Sequence, residues 1–203
     1  MFGLKRYRRA AMRVAVLFTL VTGSHAMSTP PGDAADYRQP PAPTHEVPLR
    51  FAGHNFESLC FNTIGCKVGY AGSYQTEDAS DKTSPPPPAN LDEVWGPGEA
   101  GIRNFPPPAE VTWKSLDGAA HEAKVDIAAI FKDGLIWHNV PKADMAHFYR
   151  GEWAGDPNIY LEVDDHTISV YTRMLIPTKT EQIPGNKDSD IRTDLFLVWS
   201  HTY

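Results

Sequence analysis

The chain has 203 residues, 41% of them apolar and 22% charged, a composition that suits one folded domain and excludes both a disordered chain and a membrane bundle. Its 18 prolines exceed the usual share of about 5%, so long proline-rich connections are expected around the folded parts. Five of the 19 Lys and Arg (Lys5, Arg6, Arg8, Arg9 and Arg13) lie in the first 26 residues, which hold no acid; beyond them 14 basic residues face 25 acidic ones, a balance that the formal charge of −6 conceals. Such a chain has no general attraction for nucleic acid or anionic lipid, since both require clustered Lys and Arg.

In chain order, the basic stretch through Arg13 precedes an apolar run of eight, Val14 to Val21, and then Ser24-His25-Ala26 puts small residues at the minus-three and minus-one positions of a cleavage site. This is the three-part pattern of a secretory signal peptide, expected to be cleaved after Ala26. The run is far short of the roughly 20 residues needed to span a bilayer. No cysteine follows it, so no lipid anchor is expected, and residues 27–203 should be released into a bacterial periplasm or beyond. Residues 27–48 hold Pro30, Pro31, Pro40, Pro41, Pro43 and Pro48 without apolar periodicity and read as a tether. The folded domain should occupy residues 49–203.

An oxidising compartment decides how to read the two cysteines. Cys60 and Cys66 bracket Phe61-Asn62-Thr63-Ile64-Gly65, whose Asn and Gly suit a turn between two short strands, so the pair is expected to form a disulfide across a hairpin. A redox centre would favour Cys-x-x-Cys, and zinc would need further ligands at regular spacing.

Strand signals then come in pairs. Val111 and Trp113 alternate with Thr112 and Lys114, turn at Asp117-Gly118 and return through His121 toward Ile127. Ile159, Leu161 and Val163 alternate with Tyr160 and Glu162; beyond Asp164-Asp165 a longer strand sets Ile168, Val170, Thr172, Met174 and Ile176 on one face. Leu195 to Trp199 is apolar at every position, which predicts a central strand covered on both faces. Two short helices are expected, one capped by Asp126 and stopping at Gly134, the other over residues 141–150. The predicted architecture is α+β, mainly antiparallel β, a single compact domain with one or two short helices and long proline-rich loops. The longest loop, residues 74–105, contains Trp95 among prolines and glycines.

Catalytic signatures fail on inspection. His45-Glu46 and His121-Glu122 begin like a zinc-protease helix, but the second histidine is replaced by Leu49 and Val125. Asp188-Ser189-Asp190 lacks the glycine and distant glutamate of a calcium loop, and Asp164-Asp165 reads as a turn rather than a glycosidase pair. No catalytic, metal or cofactor-binding residue is assigned. Convergence of scattered histidines such as His54, His121 and His138 is the route by which an exported hydrolase or metal-dependent enzyme would be built, and it stands as the alternative. Of the tryptophans, Trp113 and Trp199 lie in strand patterns and should be core, while Trp95 in its loop should be exposed and available to a partner.

Three stretches carry a resemblance: His54-Asn55-Phe56-Glu57-Ser58-Leu59-Cys60-Phe61-Asn62-Thr63 with Cys66; Val111-Thr112-Trp113-Lys114-Ser115-Leu116-Asp117-Gly118; and Pro184-Gly185-Asn186-Lys187 leading to Arg192-Thr193-Asp194-Leu195 and Ser200-His201-Thr202-Tyr203. Residues 49–203 resemble small periplasmic immunity proteins that accompany lipase or phospholipase effectors of type VI secretion. Many of those are lipoproteins, whereas this chain lacks the lipid-attachment cysteine. The resemblance implies binding without turnover, with a toxic effector as partner. Residues 74–105 and 184–194 are the expected contact regions, with Trp95 as an aromatic anchor and Asp188, Asp190 and Asp194 meeting basic residues of the effector.

Overall fold

Alternating burial along the strands sorts the chain into two sheets that share one core. The computed structural model describes residues 49–146 and 155–203, which belong to one compact unit. The expected signal peptide (residues 1–26) and tether (residues 27–48), and the second expected helix from His147 on, lie outside the described residues. The strands are β1 (Gly53–Phe61), β2 (Thr63–Tyr70), β3 (Ser73–Glu77), β4 (Glu99–Arg103), β5 (Ala109–Ser115), β6 (Ala120–Val125), β7 (Asn158–Asp164), β8 (Thr167–Arg173), β9 (Ile176–Pro177), β10 (Ile191–Arg192) and β11 (Leu195–Thr202). One sheet has the order β11-β8-β7-β1-β4, the other β3-β2-β5-β6, and β9 pairs with β10 as a small ribbon. All pairings are antiparallel except β1 with β7. Phe56, Ile159, Leu161, Val163, Ile168 and Val170 of the first sheet meet Val68, Val111, Trp113 and Val125 of the second in the core. The mainly antiparallel, single-domain α+β architecture expected from the sequence is the one observed.

The hairpins at Asp117-Gly118 and Asp164-Asp165 form where the turn residues put them. The first expected helix is α1 (Ile127–Ile130), short as anticipated: the Asp126 carboxylate accepts from Ala129 N at 3.0 Å, and Gly134 follows with φ 61°. The other helix does not begin at its expected start. Residues 142–144 make turns and Met145 bridges Thr178 as a strand residue.

Cys60 and Cys66 are joined, with Cα atoms 6.4 Å apart, but not across a hairpin. β1 and β2 belong to different sheets, and the single residue between them, Asn62 at φ 49°, turns the chain from one layer into the other. The disulfide therefore ties sheet to sheet. A strand–turn–strand pattern reads alike in sequence for a hairpin and for a corner, because only the later strands β5 and β7 decide which neighbour each half acquires.

Two further expectations are corrected. β11 is an edge strand, and the covered central position belongs to β7, where Ile159 to Val163 are all buried. The apolar run of β11 has another cause: Phe196 faces Thr172 and Trp199 faces Val170, with an irregularity between Leu197 and Trp199 that interrupts the period of two. Phe196 and Trp199 thus both point inward, while Leu197 stays 55% exposed. Residues 74–105 are not a free loop either, since they contain most of β3, a 3₁₀ turn at Leu91–Glu93 and all of β4. Between these, Asn62 N donates to the Pro85 carbonyl, Ser84 N to Thr63 and Gly65 N to Lys82, sewing the proline-rich stretch along β2.

Candidate functional site

Trp95 is buried, at 7% exposure, and does not offer the anchor that its loop composition suggested. Its ring stacks on Tyr160 at 4.5 Å and 19°, on the outer face of the five-stranded sheet. The same loop is tied down by Gly96 N donating to Glu57 Oε2 at 2.7 Å and by Arg173 pairing with Asp92 at 2.8 Å. Burial pushes both Glu57 and Glu162 above the usual carboxylate range, against hydrogen bonds from Gly96 N and the Tyr171 hydroxyl respectively. Proline and glycine suggested exposure, but the loop has a large aromatic surface to cover, and burying an indole on a tyrosine stabilises more than leaving it in water.

The three histidines singled out in the sequence share no partner. His54 is fully buried on β1, with Nδ1 2.8 Å from Asn104 Oδ1 and Nε2 3.0 Å from the Tyr70 hydroxyl. His138 is half-buried and its pKa is lowered by burial. His121 stacks on Trp113 at 4.8 Å, lies 3.0 Å from Ser115 Oγ and meets His166 edge-on at 5.2 Å. His166 in turn approaches Asp117 and Asp165 at 3.5 and 3.7 Å, a convergence of two hairpin turns that the sequence reading missed because its members lie about fifty positions apart. Ser115 is fully buried, so its hydroxyl is not presented to a substrate. Among the described residues no three His, Cys, Asp or Glu side chains are arranged to hold a metal ion. The adjacent carboxylates of Asp164 and Asp165 hold turns together, accepting from Asn62 Nδ2 at 2.7 Å and from Leu116 N at 2.9 Å.

Residues 178–191 form the most prominent exposed feature. The β9–β10 ribbon closes their ends, and the loop is ordered by its own bonds: Thr178 N to the Asp190 carbonyl and Gln182 N to the Ser189 carbonyl, both 2.7 Å, Ile183 N to Ser189 Oγ at 2.9 Å, and Gly185 N to Glu181 Oε2 at 2.8 Å. Such closed, self-packed loops are frequently functional. Ile183 is 60% exposed at the loop's outer part and Ile191 45% at its base, with Asp188 and Asp190 exposed between them. Asp194 differs from these two: it is half-buried beyond the ribbon, and its carboxylate already accepts from the Arg192 guanidinium.

Among the described residues the exposed tryptophan is Trp137, at 49%, a position without a distinguishing sequence pattern. It borders a cleft of 540 Å³ whose walls include Phe131, Leu135, Ile136, His138 and Phe196. No local signal marks it, because residues 134–140 have neither a sustained period of two nor one of 3.6. No helix among the described residues is long and apolar enough to cross a membrane. No family model, curated protein or solved structure matches the chain, so the reading of its surface rests on its own geometry.

Proposed function

We propose that this chain is an exported immunity protein that binds and neutralises a toxic lipase-type effector in the periplasm, using residues 178–191 as its principal contact. The observation that carries the reading is the loop itself: exposed almost throughout, yet held in shape by internal hydrogen bonds and tied at its base by Lys179 Nζ to the Ala143 carbonyl at 2.6 Å. A pre-organised loop avoids most of the ordering cost of association. Ile183 supplies an apolar contact, and Asp188 and Asp190 beside it favour a basic cleft rim and steer encounter with it. Export is supported by the basic–apolar–small order of residues 1–26 and by a disulfide that persists in oxidising surroundings. The resemblance of residues 49–203 to immunity proteins supplies the class of partner. Buried His54 and Glu162 and half-buried Glu57 have structural partners, which favours a binding role over the alternative of an exported hydrolase.

The test is complex formation with a purified lipase-type effector from the producing cell, together with survival of kin attack. Ile183→Asp should weaken binding about tenfold or more, as truncating a central contact does. The Asp188→Lys, Asp190→Lys double variant should slow association and flatten its salt dependence. Undiminished survival of a deletion strain, with no complex at micromolar concentrations, would remove the reading.

A further inference from the structure

The edge strand β11 leaves one side of its backbone open, and a single hydrogen bond fixes which groups lie on that side. Tyr203 N donates to the His166 carbonyl at 2.8 Å, and from there the register with β8 is regular, Thr202 with Thr167, His201 with Ile168, Ser200 with Ser169 and Trp199 with Val170. Backbone groups of successive residues in an antiparallel strand turn to opposite edges. The amides and carbonyls of His201 and Trp199 therefore face β8, as the Tyr203 amide does, and those of Ser200 and Thr202 face away from the sheet. Among the described residues nothing accepts from or donates to these outward groups. Ser200, His201 and Thr202 are exposed, and so is Tyr203, at 39%.

A free strand edge templates pairing with another strand unless charge, proline or a cover prevents it. The other edge strands of the two sheets carry such charges: Glu77 on β3, Glu99 and Arg103 on β4, Glu122 and Lys124 on β6. Residues 195–203 hold no Asp, Glu, Lys or Arg. Their side chains also match themselves in reverse. Trp199, His201 and Tyr203 follow one another along the face turned to the second sheet, with successive ring centroids 6.1 and 4.6 Å apart and Tyr203 edge-on to Trp113. Ser200 and Thr202 line the opposite face, where their hydroxyls already pair with Ser169 at 3.2 Å and Thr167 at 3.0 Å. An antiparallel copy centred on His201 sets Trp199 beside Tyr203 and Ser200 beside Thr202, aromatic against aromatic and hydroxyl against hydroxyl, the pairings that stabilise neighbouring strands. Ser200 and Thr202 then form hydrogen-bonded pairs that satisfy their outward amides and carbonyls. A centre at Ser200 would instead draw in Val198, where the ladder with β8 is irregular.

We propose that β11 is the edge through which this protein pairs with a second copy of itself: residues 199–203 of two chains run antiparallel about a two-fold axis at His201, joining the two five-stranded sheets edge to edge. Each copy presents the same patch to the other, as a closed two-fold contact requires. This inference does not depend on the effector reading; it assigns the β11 edge to a second copy and leaves residues 178–191 to a different partner.

Sedimentation and amide exchange on the purified protein test it. A dimer should form as the concentration rises from about 1 to about 100 μM. Over the same range the Ser200 and Thr202 amides should slow at least about tenfold, while the His201 and Trp199 amides, already bonded to β8, keep their rates. His201→Lys sets two ammonium groups opposite each other across the axis and should leave the protein monomeric throughout; because the side chain is exposed, its thermal midpoint should stay close to the parent's. His201→Gln should keep the dimer. A monomer at every concentration would overturn the proposal, as would a dimer indifferent to His201→Lys, a dimer whose Ser200 and Thr202 amides exchange as fast as the monomer's, or slowing of those amides only when another protein is added.

Discussion

His54 shows how far a single residue's role depends on its surroundings. Asn104 Nδ2 donates to the Phe51 carbonyl at 3.1 Å, so its Oδ1 is left to accept from His54 Nδ1, and His54 Nε2 must then accept from the Tyr70 hydroxyl. The imidazole is neutral with both nitrogens satisfied, and burial lowers its pKa below the usual 6.5. A histidine whose folded pKa is depressed contributes stability that is complete above its unfolded pKa and lost as pH falls from 6.5 toward the folded value. Urea midpoints between pH 8 and pH 5 should therefore fall with acid, and His54→Gln should flatten that slope while costing roughly 1–3 kcal/mol at pH 8 through disturbed buried hydrogen bonds. Glu57 and Glu162, with raised pKa values, contribute in the opposite sense, losing stability as pH rises, so the difference between variant and parent is the informative quantity. A parallel pair of slopes would refute the role of His54. Trp95 and Trp137 make the same point: the indole from a proline-rich loop is buried, and the one following an ordinary apolar pair is half-exposed.

At the scale of elements, β4 is held against β1 by a close approach that only glycine permits. Gly98 has φ 59°, and a Cβ there would overlap the Phe56 carbonyl oxygen. Gly98→Ala must move β4 or the backbone of β1, and should cost more than about 2 kcal/mol, whereas Gly118→Ala should cost only the roughly 1–2 kcal/mol of a left-handed conformation. Gly118 has φ 88°, and a Cβ added there would meet nothing within 4 Å, which makes it the control. Equal shifts in the two denaturation midpoints would show that the close approach at Gly98 contributes nothing to stability. The hairpins of β5 with β6 and of β7 with β8 were legible because turn residues and alternation agree locally. β11 was misread because an irregularity at the edge mimics the continuous apolar run of a covered strand.

For the whole molecule, the Cys60–Cys66 bond fixes the corner at which the chain passes from one sheet into the other. It closes a short loop, so the chain-entropy model assigns it about 2 kcal/mol, and a core built from both sheets should survive without it. The Cys60→Ala, Cys66→Ala double variant should fold to the same architecture with a midpoint lowered by about that amount, and a reductant should reproduce the shift in the parent. An unchanged midpoint in both experiments would show that the corner is held by β5 and β7 alone.

The sequence by itself determined the strand-rich class, the two turn-centred hairpins, the capped short helix and the identity of the paired cysteines. Each of these rests on residues within about ten positions of one another, where backbone preference, capping and alternation act directly. Tertiary structure alone decided which sheet β1 and β2 joined, that β7 rather than β11 was central, that Trp95 turned inward and Trp137 outward, and that His121 met His166. Those outcomes depend on which surfaces remain to be covered once distant strands have paired, and apolar burial, being non-directional, leaves no local mark of the partner it will find.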